Sequence, residues 1–389
     1  MTFLLNFGQG VYPPLLPELV GTLGLSLAAA GLLGTAFSLP RSMLALPSGA
    51  LVERLGPVQL MHAGIGLVLA GTVAAALASS MATMALARAL SGLGYGTTAV
   101  VGIVYLMRAG PPHERTRRAN MYEGSLITAN AVSGYLAGGV AAFAGWRWGF
   151  GAAALAVGAG WLVAGWRVLP AVQAAFHRWS PTAGAAPEPT PRVSPVALLA
   201  IHLVVFALAF SWAGALTTLA PLYGGQVLGL SAAAIGRTLA IGYAAEAALL
   251  IPVGWAADTF GRLRVLLPGL AVVLTGVVLL PLAGGPAGYT LACTLVILGM
   301  TVWMVPASLL AEYLRGRFGG RAVGVYRLIA DLGMVSAPAA VGWLTGRAGF
   351  GVGAGSVALV VAAAGCLAGL VLRSRRPGQP PGLLATPTP

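Results

Sequence analysis

The 389-residue chain is 58% hydrophobic and 8% charged, with a mean hydropathy of +0.87. Soluble domains carry roughly 25% charged residues, so a conventional wet surface is excluded. A formal net charge of +13 would suggest a nucleic-acid partner in a soluble protein, but the basic residues, all 22 of them arginine, stand mostly between apolar runs, where they orient membrane spans.

Taken in order, the chain offers twelve stretches that meet the ~20-residue requirement for crossing a bilayer. They run roughly from 2 to 20, 28 to 52, 58 to 79, 82 to 107, 119 to 144 and 147 to 169, then 195 to 222, 231 to 257, 265 to 284, 286 to 312, 321 to 345 and 349 to 372. The expected divisions are a six-helix bundle over 1–169, a Pro-rich flexible linker over 170–194, a second six-helix bundle over 195–372 and a disordered tail over 373–389. The first span has neither a basic leader nor a small-residue cleavage site and is expected to be retained. Sixteen arginines fall on the side of the linker and both termini, against Arg147, Arg237 and Arg347 on the other. That asymmetry makes the termini cytoplasmic. An arginine-only basic complement beside abundant Ala, Gly and Pro points to GC-rich coding and a bacterial inner membrane. The 56 glycines, about twice the usual share, suit close helix packing in lipid.

One stretch occurs twice. Pro47, Gly49, Glu53 and Gly56 return as Pro252, Gly254, Asp258 and Gly261, each 205 residues later (258 − 53 = 205). Upstream, Leu25, Ser26, Ala28, Ala29 and Gly31 meet Leu230, Ser231, Ala233, Ala234 and Gly236 at the same interval. A chain that repeats at half its length is built of two similar halves. In each copy an apolar helix runs into a loop holding a glycine, an acid and a second glycine.

These residues resemble the major facilitator superfamily over nearly the whole chain. Its loop between helices 2 and 3 carries glycine, an acid four residues on, a base and a further glycine; Gly49, Glu53, Arg54 and Gly56 match it, as do Gly254, Asp258, Gly261 and Arg262. Glu53 replaces the usual Asp, and Pro57 stands where a base is common. Helix 4 carries ARALSGLGYG, similar to the family's arginine motif at Arg88, Gly92 and Gly94. In helix 5, NAVSGYLAGG keeps Gly134, Gly138 and Gly139 of the antiporter glycine motif, with Asn130 for its first glycine and Tyr135 for its proline. The resemblance implies an all-α membrane protein of twelve transmembrane helices in two pseudo-symmetric bundles. It also implies that helices 2 and 11, and 5 and 8, meet across the halves, and that helices 1, 4, 7 and 10 line a cavity.

Ionisable residues inside the bilayer cost at least ~2.5–3.5 kcal/mol on insertion scales and mark a partner or a wet cavity. Arg41 lies twelve residues before Glu53, and Glu246 twelve before Asp258, so the repeat places opposite charges at one depth. Glu246, with no base within a turn, reads as a titrating proton carrier. Asp331, a second proton-coupling candidate beside Glu246, either faces Arg41 across the halves or pairs locally with Arg327, one turn away. Arg88 reads as a coupling residue. Glu123 is expected to pair near the interface with Arg118 or Tyr122. By the resemblance, the cavity is offered Asn6, Gln9, Tyr12, Arg41, Tyr95, Phe210, Trp212, Trp303 and Met304, aromatic and thioether surfaces that suit an amphipathic solute. Pro13, Pro14 and Pro17 should break helix 1. Cys293 and Cys366 read as small buried apolar groups.

No phosphate-binding glycine loop, nucleophile elbow or metal-ligand spacing appears in the sequence. The expectation is therefore not an enzyme, with no cofactor and no metal, but a monomeric secondary transporter working by alternating access. Its partners are a small-molecule substrate, protons and the lipid bilayer, with no nucleic acid. Proton-coupled export of drug-like solutes is the leading reading. The alternative is an organic-anion or sugar-type transporter with Arg41 and Arg88 as substrate ligands, and a receptor or scaffold that moves nothing stands third.

Overall fold

The computed structural model describes residues 2–44, 48–108, 115–178, 194–314 and 320–373. Twelve helical spans run through the described residues. In the first half, helix 1 comprises Thr2–Leu5, Phe7–Gly10 and Tyr12–Leu23; helix 2 is Leu27–Met43, continued by Ser48–Leu55; helices 3 to 5 are Pro57–Ala76, Met81–Arg108 and Arg115–Ala144. Helix 6 is Trp146–Val163, continued through a π segment at Ala164–Val168 into Leu169–Arg178. In the second half, helix 7 is Pro195–Ser211, a π segment at Trp212–Leu219, then Ala220–Gln226; helices 8 and 9 are Ala232–Phe260 and Arg262–Leu279. Helix 10 is Pro286–Gly299 and Val305–Leu314 around a tight turn at Met300–Val302, and helices 11 and 12 are Gly320–Ala348 and Phe350–Arg373. Among the described residues, nine helices are long and apolar enough to cross a membrane on length and composition.

The duplication is written into the backbone. Ser26 and Ser231, 205 residues apart, cap helices 2 and 8 by accepting from the amides of Ala29 (3.2 Å) and Ala234 (3.3 Å). The positive-φ glycines fall into corresponding pairs, Gly24 with Gly229, Gly56 with Gly261, and Gly145 with Gly349. At Gly56 (φ 79°) and Gly261 (φ 100°) any side chain would be strained, and there the chain turns from one helix into the next.

Three expectations about the helices are corrected. The repeated glycine–acid–glycine stretch is helix rather than loop up to the positive-φ glycine, Gly56 or Gly261, that ends it. Glu53 falls within Ser48–Leu55, with Gly49, and Asp258 within Ala232–Phe260. The Glu53 side chain and the surroundings of Gly49 lie outside the described residues, as does Pro47. Helix 1 breaks at Asn6 and Val11, ahead of its prolines; Pro13 and Pro14 occupy the first turn of Tyr12–Leu23, where a missing N–H costs little. The start of the expected linker is helical to Arg178, with Pro170 in that segment's first turn. The rest of the linker, 179–193, and the tail beyond Arg373 lie outside the described residues.

Buried apolar side chains form two clusters. One is drawn from residues 197 to 372, the other from residues 5 to 172 together with Leu222 and Ala232. The outer faces carry apolar side chains fit for acyl tails, such as Phe143, Leu155 and Ile251. Cys293 is buried, but Cys366 lies on an exposed face, contrary to expectation.

The two clusters meet along two seams, helix 2 against helix 11 and helix 5 against helix 8. At the end holding the short turns after helices 1, 5, 7 and 11, both seams are closed by backbone. Gly31 packs against Pro338 and Gly342, Gly236 against the Gly134 carbonyl, and Gly138 against the Ala232 carbonyl. Pro17 of helix 1 fills the space beside Gly225 of helix 7. A Cβ at Gly31, Gly138 or Gly236 would meet main chain that cannot yield. These are the small-residue contacts by which helices approach closely in lipid.

Candidate functional site

Between the halves lies a cavity of about 30 Å³, room for about two waters. Helix 1 lends Gln9, Tyr12 and Pro13, helix 2 Phe37 and Ser38, helix 4 Arg88, and helix 5 Asn130. Helix 7 lends Trp212 and Thr217, and helix 8 Leu239 and Tyr243. The π segment explains helix 7's share: bonding to the fifth residue widens the turn, so Trp212 and Thr217, five apart, can serve one face.

Arg88 is 4% exposed. Its guanidinium carbon lies 3.9 Å from the Tyr12 ring centroid and 4.5 Å from that of Phe37. Tyr12 is itself held by donating its hydroxyl to the Ala30 carbonyl at 3.3 Å. The Arg88 Nε has no hydrogen-bond partner, and among the described residues no carboxylate lies within ion-pair distance. Gln9 Oε1 is likewise buried and unpartnered.

Of the residues expected in the cavity, Gln9, Tyr12 and Trp212 line it. Asn6 instead ties helix 1 to helix 5, donating to the Leu126 carbonyl at 3.1 Å and to Asn130 Oδ1 at 2.7 Å. Tyr95 packs on Phe37 at 5.9 Å, and Phe210 stacks on Phe206 at 5.6 Å. Trp303, next to the tight turn of helix 10, packs against the second-half cluster, and Met304 is exposed. The expected lining from helix 10 is therefore replaced by helices 2, 5 and 8. Phe37, Ser38, Asn130, Leu239 and Tyr243 were not anticipated as lining; Asn130 had a signal, because it stands where the antiporter motif has glycine.

Arg41 is off the cavity and engaged elsewhere. Its Nη2 donates to Asp331 Oδ1 at 3.3 Å and contacts Met334 Sδ at 3.0 Å, and Tyr95 lies beneath its guanidinium at 5.7 Å. Arg327 Nε reaches Asp331 Oδ2 at 3.5 Å. Asp331 is thus shared by the local and the cross-seam arginine, both expected partners at once. Nearby, Thr35 donates across the same seam to the Val335 carbonyl at 2.8 Å.

Glu246 is 6% exposed on helix 8 and has no ion pair among the described residues. Its charged neighbour within electrostatic reach is another carboxyl, Glu123 of helix 5. Glu123 in turn lies in the field of Arg327; the Arg118 side chain is outside the described residues.

At the repeated motif, Arg262 donates to the Ser308 carbonyl at 2.8 Å and pairs with Glu312 at 2.9 Å, linking helices 9 and 10 within one half. Arg54, Gly254 and Asp258 are exposed. Among the helix 5 glycines, Gly138 abuts helix 8, Gly134 faces Gly10 and Pro14 of helix 1 and lends its carbonyl to the contact with Gly236, and a Cβ on Gly139 would meet open space. No cluster of three metal-ligating side chains occurs among the described residues.

Comparison with known proteins agrees with this arrangement. The family described as Major Facilitator Superfamily matches residues 1–311. An uncharacterized MFS-type transporter of Mycobacterium tuberculosis, present in strains CDC 1551 / Oshkosh and ATCC 25618 / H37Rv, is 28% identical over 144 residues, 37% of this chain and 21% of the relative. The match thus spans about a fifth of that relative's length. Among solved structures, a mutant peptide transporter POT in complex with alafosfalin superposes with a TM-score of 0.72 at 16% identity, covering 95% of this chain and 93% of the other. The human organic anion transporter MFSD10 (TETRAN) gives 0.65 at 18% identity, covering 94% and 96%. At these identities the likeness is one of fold. The chain belongs to the Major Facilitator Superfamily and is, over its described residues, an all-helical, multi-pass membrane protein.

Proposed function

We propose that the protein is a monomeric, proton-coupled secondary transporter that exports small amphipathic solutes across a bacterial inner membrane by alternating access. In this reading both termini are cytoplasmic, residues 1–169 and 195–372 act as the two rocking bundles joined by 170–194, and no nucleic acid takes part. The supporting observation is Glu246, a buried carboxyl beside the helix 5–8 seam with no cation paired to it among the described residues. Ionised, such a group needs water or a cation; protonated, it packs dry. Gain and loss of one proton would therefore bias the seam between a parted and a closed state. Asp331, already shared by Arg41 and Arg327, serves as a tether between the halves. That commitment also removes Arg41 from the candidate solute ligands.

Reconstitution in liposomes with an imposed pH gradient and a panel of amphipathic solutes tests this. Glu246→Gln should abolish gradient-driven accumulation while leaving solute exchange at equal pH intact. Gradient-driven movement undiminished in that variant would remove Glu246 as the carrier.

A further inference from the structure

Arg88 presents an unmet valence. A guanidinium within a membrane span is costly, and the Tyr12 and Phe37 rings at 3.9 and 4.5 Å return part of that cost, about 0.5–2 kcal/mol for each such contact. Rings occupy the faces of a guanidinium, whereas its donors radiate in the plane. The rings satisfy none of those donors, and with no carboxylate in ion-pair distance among the described residues the guanidinium is left available to a planar acceptor. Arg41 shows the contrast, with Asp331 and Met334 already on its fork.

Two polar neighbours of Arg88 around the cavity, Asn130 and Gln9, are donors or can become donors, whereas Ser38 and Thr217 give their hydroxyl protons to the Gly34 and Ala213 carbonyls. Asn130 lines the cavity with its Oδ1 already accepting from Asn6, so what it has left to offer is its NH₂ group. The Gln9 amide has an unpartnered oxygen, and rotation of the amide by half a turn puts N–H groups in that place. No carboxylate lines the cavity, which disfavours a cation. The free volume, about 30 Å³, suits a small anionic head. Phe37, Trp212 and Leu239 supply an apolar wall for the body attached to it.

We propose that this cavity binds small amphipathic monocarboxylates, the carboxylate on the Arg88 fork and the Asn130 and Gln9 amides, the apolar body against Trp212 and Leu239 once the halves part. This names the substrate class of the transport site above and rests on that reading. The test uses the purified full-length protein, with benzoate as probe, benzamide as its uncharged match, and sodium chloride and sodium phosphate as inorganic anions. Binding is read as thermal stabilisation, and movement as uptake into liposomes.

Benzoate should stabilise the protein and benzamide should not. Arg88→Gln should weaken benzoate by about ten- to a hundredfold, the scale of a hydrogen-bonded charge. Arg88→Lys, which keeps the charge without the fork, should fall between. Should Arg88→Gln fail to fold, Gln9→Leu and Asn130→Leu retain the cation, and each should weaken benzoate. Equal stabilisation by benzamide, benzoate binding indifferent to these variants, or reproduction of the effect by chloride or phosphate alone would overturn the proposal. Neutral amphiphiles driven by the pH gradient while benzoate neither binds nor moves would overturn it and leave the transport reading standing. Benzoate bound through Arg88 but never moved would do the reverse.

Discussion

Asp331 lies between two guanidiniums, 3.3 Å from Arg41 across the seam and 3.5 Å from Arg327 on its own helix, and the three side chains are unequally dispensable. Breaking a buried pair from one side costs about 3–5 kcal/mol, because the other charge is left alone in low dielectric. Asp331→Ala strands Arg41, which is buried, and should carry that full cost. Arg41→Ala leaves Asp331 with Arg327 and should cost about half as much, so unfolding temperatures should fall in the order wild type, Arg41→Ala, Asp331→Ala. Equal losses would mean that Arg327 does not share the carboxylate. The double variant, with no stranded charge on helix 2, should recover part of the loss. Arg41 and Asp331 were legible in sequence because a charge in an apolar run is conspicuous. Asn130, Tyr243 and Leu239 were not: each is ordinary within its own helix, and only packing against distant parts of the chain makes it part of a cavity with Gln9 and Arg88.

Helices here are specified by what their small residues permit. Gly138 and Gly139 are neighbours in one motif, yet a Cβ on the first would meet the Ala232 backbone and on the second nothing within 4 Å. Overpacking against unyielding atoms costs about 1–3 kcal/mol, and at a seam that closes during transport it should act on the closed state alone. Gly138→Ala should therefore slow transport at least several-fold and raise the reactivity of a reporter thiol placed in the cavity. Gly139→Ala should change neither rate nor reactivity. Sequence alone could count these glycines and match them to a motif, but which of two adjacent residues faces a neighbouring helix is a property of the crossing. The same holds for helix 7, whose π segment no periodicity announces, and for helix 1, whose break at Val11 precedes its prolines because Pro13 and Pro14 have no N–H to continue the preceding turn.

At the scale of the molecule, transport requires the end sealed by Gly31, Pro338 and Gly342 to come apart. Leu27 Cβ lies 3.6 Å from where a Cβ on Gly346 would stand, within the roughly 3.5–4.5 Å that a disulfide spans. Leu27→Cys with Gly346→Cys, in a background lacking Cys293 and Cys366, should therefore oxidise without moving either helix. Oxidation should halt solute movement and reductant should restore it; undiminished movement in the cross-linked protein would mean that this end never opens. The twelve spans and the doubling of the chain were visible in hydropathy and in the 205-residue interval, since both are one-dimensional signals, whereas the closed state is a matter of how the halves lean. The interval also joins Arg41 to Glu246 (246 − 41 = 205), so the operation that superposes the halves exchanges a fixed cation for an ionisable acid. The dyad is geometric but not electrical. Under the proton coupling proposed above, a change in acidity acts first on the leaf that holds the unpaired Glu246, whereas the acid of its twin, Asp331, is held by Arg41 and Arg327, so the rocking would begin off-centre, with helices 5 and 8 leading and helices 2 and 11 following.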